Sequence, residues 1–247
     1  ILADWNGMMI TALSLAGQCF DNQKWLQGAK TAYNFIKQTM DTNKGLHHSY
    51  RLGKLSSPPT SNDYAQMIRA ALTLYNITAE QSYLEDADKW TGKLNEEFWC
   101  EDHGGYFITG KTRSDVIIRG KTGADEAIPN ANAIMVSNLM TLYLLTGKED
   151  MRKKAKNIVQ CFGDAIAKNI FSHIGLLAGA IDIISPLHLV IVKPETTEVT
   201  TTPMLAMLKS LPAPGLVVQI IKENQTLPET SPAYNKKCVE GKTTAYL

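Results

Sequence analysis

The sequence predicts a mainly α-helical protein: a partial α/α toroid of about three helical hairpins, followed by a small C-terminal α/β segment. Three observations lead to this class. Helical segments alternate between nearly all-apolar and amphipathic, short apolar patterns recur about every 60 to 70 residues, and β-branched runs replace the helical pattern near the C-terminus. We therefore place the toroid in residues 1–185 and the α/β segment in residues 186–247.

The segment from Asn62 to Thr78 carries the clearest helical signal. It is apolar except for a few polar residues, among them Gln66, Arg69 and Thr73, which the helical period places in one narrow stripe. A helix that is apolar on nearly every other side needs neighbours nearly all round. We therefore predict that this segment is an inner helix of the toroid.

The apolar pattern around Met67 recurs around Met9 and Met135 in the same helical phase. Repeats of this length indicate stacked helical hairpins, each unable to bury its apolar face alone. The helix after each inner helix is amphipathic, as in Gln81 to Trp99, which is the pattern of an outer helix exposed on one side. The inner-to-outer connections are short and the outer-to-inner connections are long, so the long loops lie at the starts of the inner helices.

The long loops and the C-terminal region contain the predicted strands. Two glycine-containing alternating runs, Gly45–Arg51 and Gly104–Ile108, are predicted to form small β-hairpins. Strand, helix and strand in succession near the C-terminus indicate an α/β unit. The predicted elements of this region are a helix at Phe171–Ile184, a strand at Leu187–Val192, a helix at Met204–Ser210 and strands at Gly215–Ile221 and Thr243–Leu247.

Composition limits the classes of partner and the compartment. The 247 residues are 44% hydrophobic with a formal charge of +1, which gives no electrostatic reason to expect nucleic acid or an anionic membrane. The apolar run Ile174–Val192 contains Asp182 and Pro186, so we do not expect a membrane span. The four cysteines form no CxxC pair, which favours a reducing, cytoplasmic location. The chain begins with Ile1 where a helix is already starting, and we expect a fragment of a longer protein.

If the inner helices stand side by side, their starts meet at one rim with the preceding loops. Carboxylates, amides and aromatic rings together suit a polyhydroxylated ligand, since rings stack on apolar faces while amides and acids bond hydroxyls. Asp63 and Asp125 are the acid–base candidates. The expected rim residues are Asp4, Trp5, Asn6, Asn62, Asp63, Tyr64, Asn130 and Asn132 from the helix starts, and Arg51, Arg119, Asp125 and Glu126 from the loops.

Each candidate also has a structural interpretation. Asp4, Asn62, Asp63 and Asn130 stand where helix caps are needed, accepting bonds from free backbone N–H groups. Trp5 and Tyr64 are more typical of a hydrophobic core than of a ligand platform. Arg51 and Arg119 are more typical of ion pairs with local acids than of ligand contacts.

No metal or cofactor is predicted. His47 and His48 are adjacent in a predicted strand and point to opposite faces, so they do not share one ion easily. Cys100 and His103 add no recognised ligand spacing. The sequence contains no glycine-rich phosphate loop and no GxSxG elbow.

These residues, in order, give the chain a resemblance to the C-terminal part of the spermatogenesis-associated protein 20-like family of thioredoxin-domain proteins. The segments that carry it are Asp4-Trp5-Asn6-Gly7, Ser49-Tyr50-Arg51, Asp63-Tyr64-Ala65, Phe98-Trp99 with Gly104-Gly105, Arg119 with Lys121, Asp125, Ala127-Ile128-Pro129, Asn132, Leu189-Val190-Ile191-Val192, and Gly241-Lys242 with Thr244-Ala245-Tyr246. The resemblance implies a thioredoxin-like domain, a six-hairpin glycosidase-like toroid related in shape to sugar epimerases, and a small α/β end. It also implies that the thioredoxin-like domain, an expected partner, and about half of the hairpins lie outside this sequence.

The sequence departs from the family pattern at Glu126, Asn130 and Ala131, where small residues, glycine or serine are usual. A bulky Glu126 on the rim narrows a pocket or adds a carboxylate, so the ligand need not be that of the family. Fold analogy to sugar enzymes remains an analogy.

We expect the toroid to bind or process a carbohydrate-like small molecule. In that hypothesis Trp5 and Tyr64 are stacking surfaces, and Asn6, Asn132, Arg51 and Arg119 position the ligand. One alternative is a non-catalytic scaffold that presents a thioredoxin-like module to partner proteins, and another is a purely structural helical repeat. Because half a toroid leaves apolar inner-helix faces uncovered, we also expect self-association.

Overall fold

A computed structural model describes residues 1–195 and 215–247, together with Met204. The predicted helix at Met204–Ser210 therefore lies outside the described residues, apart from Met204 itself. A short 3-10 turn at Phe171–His173 precedes the last helix. The elements in chain order are α1 (Ala3–Cys19), α2 (Gln23–Thr39), β1 (Asp41–Thr42), β2 (Gly45–Leu46), β3 (Ser49–Arg51), β4 (Lys54–Ser56), α3 (Ser61–Thr78), α4 (Gln81–Phe98), α5 (Ala131–Thr146), α6 (Glu149–Cys161), α7 (Gly163–Lys168), α8 (Ile174–Ile184), β5 (Leu187–Lys193), β6 (Leu216–Lys222) and β7 (Thr244–Tyr246).

Three helical hairpins build most of the chain, as predicted. The inner helices α1, α3 and α5 pack side by side, and each packs on its own outer helix, α2, α4 or α6. Helix α8 then packs against α5 and α6, where it extends the inner row to four helices. The predicted mainly α, partial toroid is confirmed.

Helix α3 is the most enclosed element, because it has α1 and α5 on its sides and α4 behind it. Most of its residues are buried, including Met67, Ile68 and Leu74. Met135 is also fully buried in α5, but Met9 in α1 is 58% exposed. The sequence gives these methionines equivalent positions, and they differ because, among the described residues, α1 has an inner helix, α3, on one side only.

The hairpins turn through short connections, as the sequence predicts. Ala79 and Gly147 each follow an inner helix in the left-handed conformation, with φ of 59° and 72°. At Gly147 the carbonyl of Thr230 lies where a Cβ atom would be. The hydroxyl of Thr230 also donates to the carbonyl of Thr146 at 2.9 Å, so the C-terminal segment packs closely on this turn.

The first long loop forms two small antiparallel hairpins, β1 with β2 and β3 with β4. The second long loop differs from its prediction. Gly104–Ile108 forms no hairpin, and Tyr106 makes only an isolated bridge with Trp99. Both glycines at its start have positive φ, 71° at Gly104 and 76° at Gly105, so the backbone turns there and an extended strand does not form.

The C-terminal strands form a small sheet in the order β6-β5-β7, in which β5 is parallel to β6 and antiparallel to β7. Strand β6 also packs against α3 and α5, where Gln219 donates to the carbonyl of Leu145 at 3.4 Å. The apolar run that begins at Ile174 divides into α8 and β5, with Pro186 between them. Among the described residues, no helix has both the length and the hydrophobicity needed to cross a bilayer.

Candidate functional site

Asp63, in the first turn of α3, joins the starts of two inner helices. Its side chain is fully buried, with 0% exposure. Oδ1 accepts from the backbone N–H of Asp4 at 3.2 Å and lies 2.9 Å from Nδ1 of His48. Oδ2 accepts from the backbone N–H of Thr60 at 2.8 Å and from the Thr60 hydroxyl at 2.9 Å. Donors of the protein itself therefore surround this carboxylate, which favours the capping interpretation of Asp63.

The cap of α3 is not where the sequence analysis placed it. The helix begins at Ser61, its N-cap is Thr60, and Thr60 forms a capping box with Asp63. Asn62 lies inside the first turn, and its buried Oδ1 has no hydrogen-bond partner among the described residues. At α5 the prediction is confirmed, because Asn130 is the N-cap and accepts from the backbone N–H of Ala133 at 2.9 Å.

The carboxylate of Asp4 accepts fewer hydrogen bonds than that of Asp63. Its Oδ1 accepts from the backbone N–H of Trp5 at 2.8 Å. Burial raises the pKa of the Asp4 carboxyl above its ordinary value of 3.8, and the nearby charge of Asp63 raises this pKa further. Ligand atoms of Asp4, His48 and Asp63 lie within 4.8 Å of one another. We assign no metal there, since the Asp63 oxygens already accept N–H and O–H donors.

Asn132 and Arg119 hold the second long loop against the helices. Oδ1 of Asn132 accepts from the backbone N–H of Tyr106 at 2.7 Å, and its amide donates to the carbonyls of Tyr106 and Thr122 at 3.0 and 2.8 Å. The guanidinium of Arg119 donates to the carbonyls of Thr109 and Glu97 at 2.9 and 3.0 Å. The polar groups of both side chains are therefore hydrogen-bonded to backbone groups of the protein itself.

Asp125 links the starts of α5 and α8. Oδ1 accepts from the backbone N–H and the amide of Asn130 at 3.2 and 2.9 Å, and Oδ2 accepts from the backbone N–H of Gly175 at 2.7 Å. A carboxylate on free N–H groups in the first turn of a helix is stabilised by the helix dipole. Asp63 therefore connects the starts of α1 and α3, and Asp125 connects the starts of α5 and α8.

The other predicted site residues lie in different environments. Tyr64 is buried, and its hydroxyl accepts from the backbone N–H of Leu46 at 3.1 Å, so no ring face is open to a ligand. Trp5 is 60% exposed. Asn6 donates to the carbonyl of Leu2 at 2.8 Å. Arg51 and Glu126 are exposed, and among the described residues neither side chain has an ion-pair partner.

The concave side of the row carries a polar stripe that the site prediction omitted. Helix α3 is covered on three sides, and Arg69 and Thr73 are among its least buried residues. In α5 the least buried residues include Ser137 and Thr141, which occupy the same two repeat positions. These positions therefore face the side that no helix covers. The sequence signal was present as the polar interruptions of the central apolar segment.

Several polar groups near this stripe have no partner in the part of the chain that the structure describes. Arg69 makes no ion pair or side-chain hydrogen bond. Both amide atoms of Gln66 are buried and unpartnered, as is Oδ1 of Asn62. The hydroxyls of Thr73 and Thr141 donate to the carbonyls four residues earlier, at 2.8 and 2.9 Å. Their lone pairs remain available to accept hydrogen bonds.

Comparison with known proteins identifies the relatives of this chain. No family model matches it. The rat spermatogenesis-associated protein 20 is 31% identical over 179 residues, which cover 68% of this chain and 23% of the rat protein. The chain belongs to the spermatogenesis-associated protein 20-like family. It spans about a quarter of the length of the curated relatives that it matches.

Solved structures agree with the toroid assignment. A sugar epimerase from a ruminal bacterium superposes with a TM-score of 0.57 at 16% identity, covering 75% of this chain and 55% of the epimerase chain. A GH76 α-mannanase of Bacteroides thetaiotaomicron superposes with a TM-score of 0.53 at 17% identity, covering 73% of this chain and 56% of the mannanase chain. At these identities the likeness concerns the fold, which is six-hairpin glycosidase-like.

Proposed function

We propose that the concave side of this toroid binds a carbohydrate-like small molecule. The observation that carries the proposal is Arg69, a cation on the open side of the most enclosed helix with no acidic partner among the described residues. Hydroxyl oxygens of a sugar are good acceptors for its five N–H donors. Thr73 and Thr141 supply acceptors for sugar hydroxyls on the same side.

The rim supplies the remaining parts of the proposed site. Trp5 offers an exposed ring on which an apolar sugar face stacks. Asp4, whose pKa is raised by burial, is a better candidate for a proton donor than Asp63 or Asp125, because the latter two accept several hydrogen bonds from the backbone. Solved structures of the same fold include a sugar epimerase and an α-mannanase, which supports this ligand class.

Saturation-transfer NMR with a panel of glucose, mannose, cellobiose and mannobiose tests the proposal. We expect at least one saccharide to bind, and Arg69→Gln to weaken that binding at least tenfold. The matched control is Arg113→Gln, because Arg113 is a half-buried arginine that already pairs with Asp115 in the second long loop. The proposal is contradicted if no saccharide binds, or if Arg69→Gln and Arg113→Gln bind the saccharide equally well.

A second function is supported by the hydrogen bonding of the two predicted acid–base residues. If Asp63 and Asp125 only hold the helix starts together, the toroid need not be catalytic and serves as a scaffold that presents a thioredoxin-like module of longer family members. In such a longer protein, Arg69→Gln would leave capture of redox partners unchanged. Loss of capture in that variant would argue against the scaffold.

A further inference from the structure

The imidazole of His48, between β2 and β3, is held in place near the start of α1. Its backbone N–H donates to the carbonyl of Ser57 at 3.2 Å, and its carbonyl accepts from the backbone N–H of Ala3 at 2.9 Å. Its ring nitrogen Nδ1 lies 2.9 and 3.1 Å from the two carboxylate oxygens of Asp63. Backbone and side chain together therefore set the orientation of the His48 ring.

The contact with Asp63 decides which nitrogen of the His48 ring carries the proton. Both Asp63 oxygens also accept donors from Asp4 and Thr60, as an ionised carboxylate does. An ionised carboxylate beside Nδ1 requires a hydrogen there, so in the neutral ring the lone pair is on Nε2. Among the described residues Nε2 has no hydrogen-bond partner, and 29% of the side chain is exposed. His48 therefore offers a free proton acceptor.

Asp4 places a proton donor beside this acceptor. One of its carboxyl oxygens and a ring nitrogen of His48 lie within 4.8 Å of each other. Burial and the nearby charge of Asp63 raise the pKa of the Asp4 carboxyl above its ordinary value of 3.8, so this carboxyl keeps its proton to higher pH than a free aspartic acid. A base and an acid this close together can act on two oxygens attached to the same carbon atom.

We propose that His48 and Asp4 are the catalytic acid–base pair of a sugar ring-opening reaction, and that Asp63 is the positioning residue of His48. This assignment rests on the proposed function for its ligand class, and it adds the reaction and the groups that perform it. The substrate class is a reducing sugar in its cyclic form. The anomeric carbon of such a sugar carries a hydroxyl group for Nε2 and a ring oxygen for the Asp4 carboxyl.

The proposed step balances without a further reactant. Nε2 removes the proton of the anomeric hydroxyl, and the O–H electron pair forms the carbonyl double bond. The bond between the anomeric carbon and the ring oxygen breaks, and the ring oxygen takes the proton of the Asp4 carboxyl. Closure of the open-chain aldehyde on either face reverses these transfers and restores neutral His48 and protonated Asp4. The net reaction interconverts the two anomers of the sugar.

Long-range ¹H–¹⁵N NMR of the histidine rings tests the proton acceptor without any sugar. At about pH 8, where an ordinary imidazole is neutral, we expect the His48 ring to carry its proton on Nδ1, with His48→Gln identifying its signals. In Asp63→Asn the two Thr60 donors require the amide oxygen, so the NH2 group turns toward Nδ1 and the ring proton moves to Nε2. A proton on Nε2 in the unchanged chain overturns the inference, whether or not Asp63→Asn folds.

Polarimetry of freshly dissolved single anomers of the four saccharides, in dilute buffer, tests the reaction. We expect the unchanged chain to accelerate mutarotation of a saccharide that it binds. His48→Gln and Asp4→Asn should each lower this acceleration at least tenfold, while the saccharide still binds in saturation-transfer NMR. His47→Gln is the matched control and should keep the full rate, because Nε2 of His47 contacts the Thr42 hydroxyl at 3.3 Å instead of Asp63.

Binding of a saccharide without acceleration of its mutarotation overturns this inference and leaves the proposed binding intact. Absence of binding by every saccharide overturns both. Full acceleration in His48→Gln, or an equal loss in His47→Gln, also overturns the role of His48. Far-UV circular dichroism checks that every variant folds. If Asp4→Asn does not fold, the comparison of His48→Gln with His47→Gln decides the assignment.

Discussion

The backbone N–H of Asp4 in α1 donates to Oδ1 of Asp63 in α3, across 59 residues of sequence. The N-cap of α1, Leu2, has no side-chain oxygen to accept from the first turn. The neighbouring inner helix therefore supplies an acceptor, while the same carboxylate also closes the capping box with Thr60. One buried side chain thus stabilises two helix starts, and it fixes the distance between them.

We predict that Asp63→Ala lowers the free energy of unfolding by about 3 kcal/mol, because it leaves buried donors unpaired at two helix starts. Urea unfolding followed by circular dichroism measures this. Asp88→Ala is the control, since Asp88 pairs with Lys148 at the surface and should cost under about 1 kcal/mol. Equal effects of the two variants would contradict a framework role for Asp63.

The raised pKa of Asp4 predicts a pH dependence of stability. A carboxyl whose folded pKa lies above its unfolded value holds its proton more tightly in the folded protein. Its contribution to stability is therefore full below an unfolded pKa near 3.8 and is lost as pH rises through the folded pKa. We expect the unchanged protein to lose stability relative to Asp4→Asn as pH rises from about 3 to 7. A difference that stays constant over this range would refute the shift.

The close approach of Thr230 predicts that Gly147 tolerates no side chain. Gly147→Ala should lower the free energy of unfolding by about 2 kcal/mol or more, because the residue has φ of 72° and its new Cβ overlaps the Thr230 carbonyl. Gly92→Ala in α4 is the control, since nothing lies within 4 Å of its added Cβ. We expect that variant to gain about 0.5–1 kcal/mol from better helix propensity. Thermal unfolding of both variants and the unchanged protein under the same conditions measures the two changes in stability.

Asn132 is predicted to anchor the second long loop. Asn132→Ala removes three hydrogen bonds to backbone groups of that loop, so stability should fall by about 2–3 kcal/mol. Hydrogen exchange should show faster exchange of the Tyr106 amide. The control is Asn34→Ala on the exposed side of α2, which should leave this amide unchanged. Unaltered protection of Tyr106 in Asn132→Ala would contradict the anchoring role.

Several features of the fold were predictable because they depend on local periodicity. The bounds predicted for α3 and α4 differ from the observed ones by one residue each, and β5 begins at the predicted residue. The N-cap role of Asn130 was also predictable, since an asparagine before an apolar helical run is a local signal. The packing of three hairpins followed from the repeats.

The roles of the polar residues were less predictable. The sequence left Asp63 open between capping and catalysis, and the donors that now favour capping come from Asp4, His48 and Thr60. Tyr64 was open between core and stacking surface, and its burial depends on its contact with Leu46. Asp4 and His48 lie 59 and 15 residues from Asp63, and Leu46 lies 18 residues from Tyr64, so no local pattern specifies these partners.

The sequence alone determined the helical hairpins, the strands of the C-terminal sheet and the alternation of enclosed and half-exposed helices, because side-chain spacing reports which faces of an element avoid water. The tertiary structure decided which polar groups remain available for a ligand and which ends of the row stay uncovered. Those properties depend on hydrogen bonds and packing between segments about 50 to 60 residues apart. Met9 illustrates the difference: its sequence position matches that of the buried Met67, but it is exposed because α1 has a described inner helix on one side only.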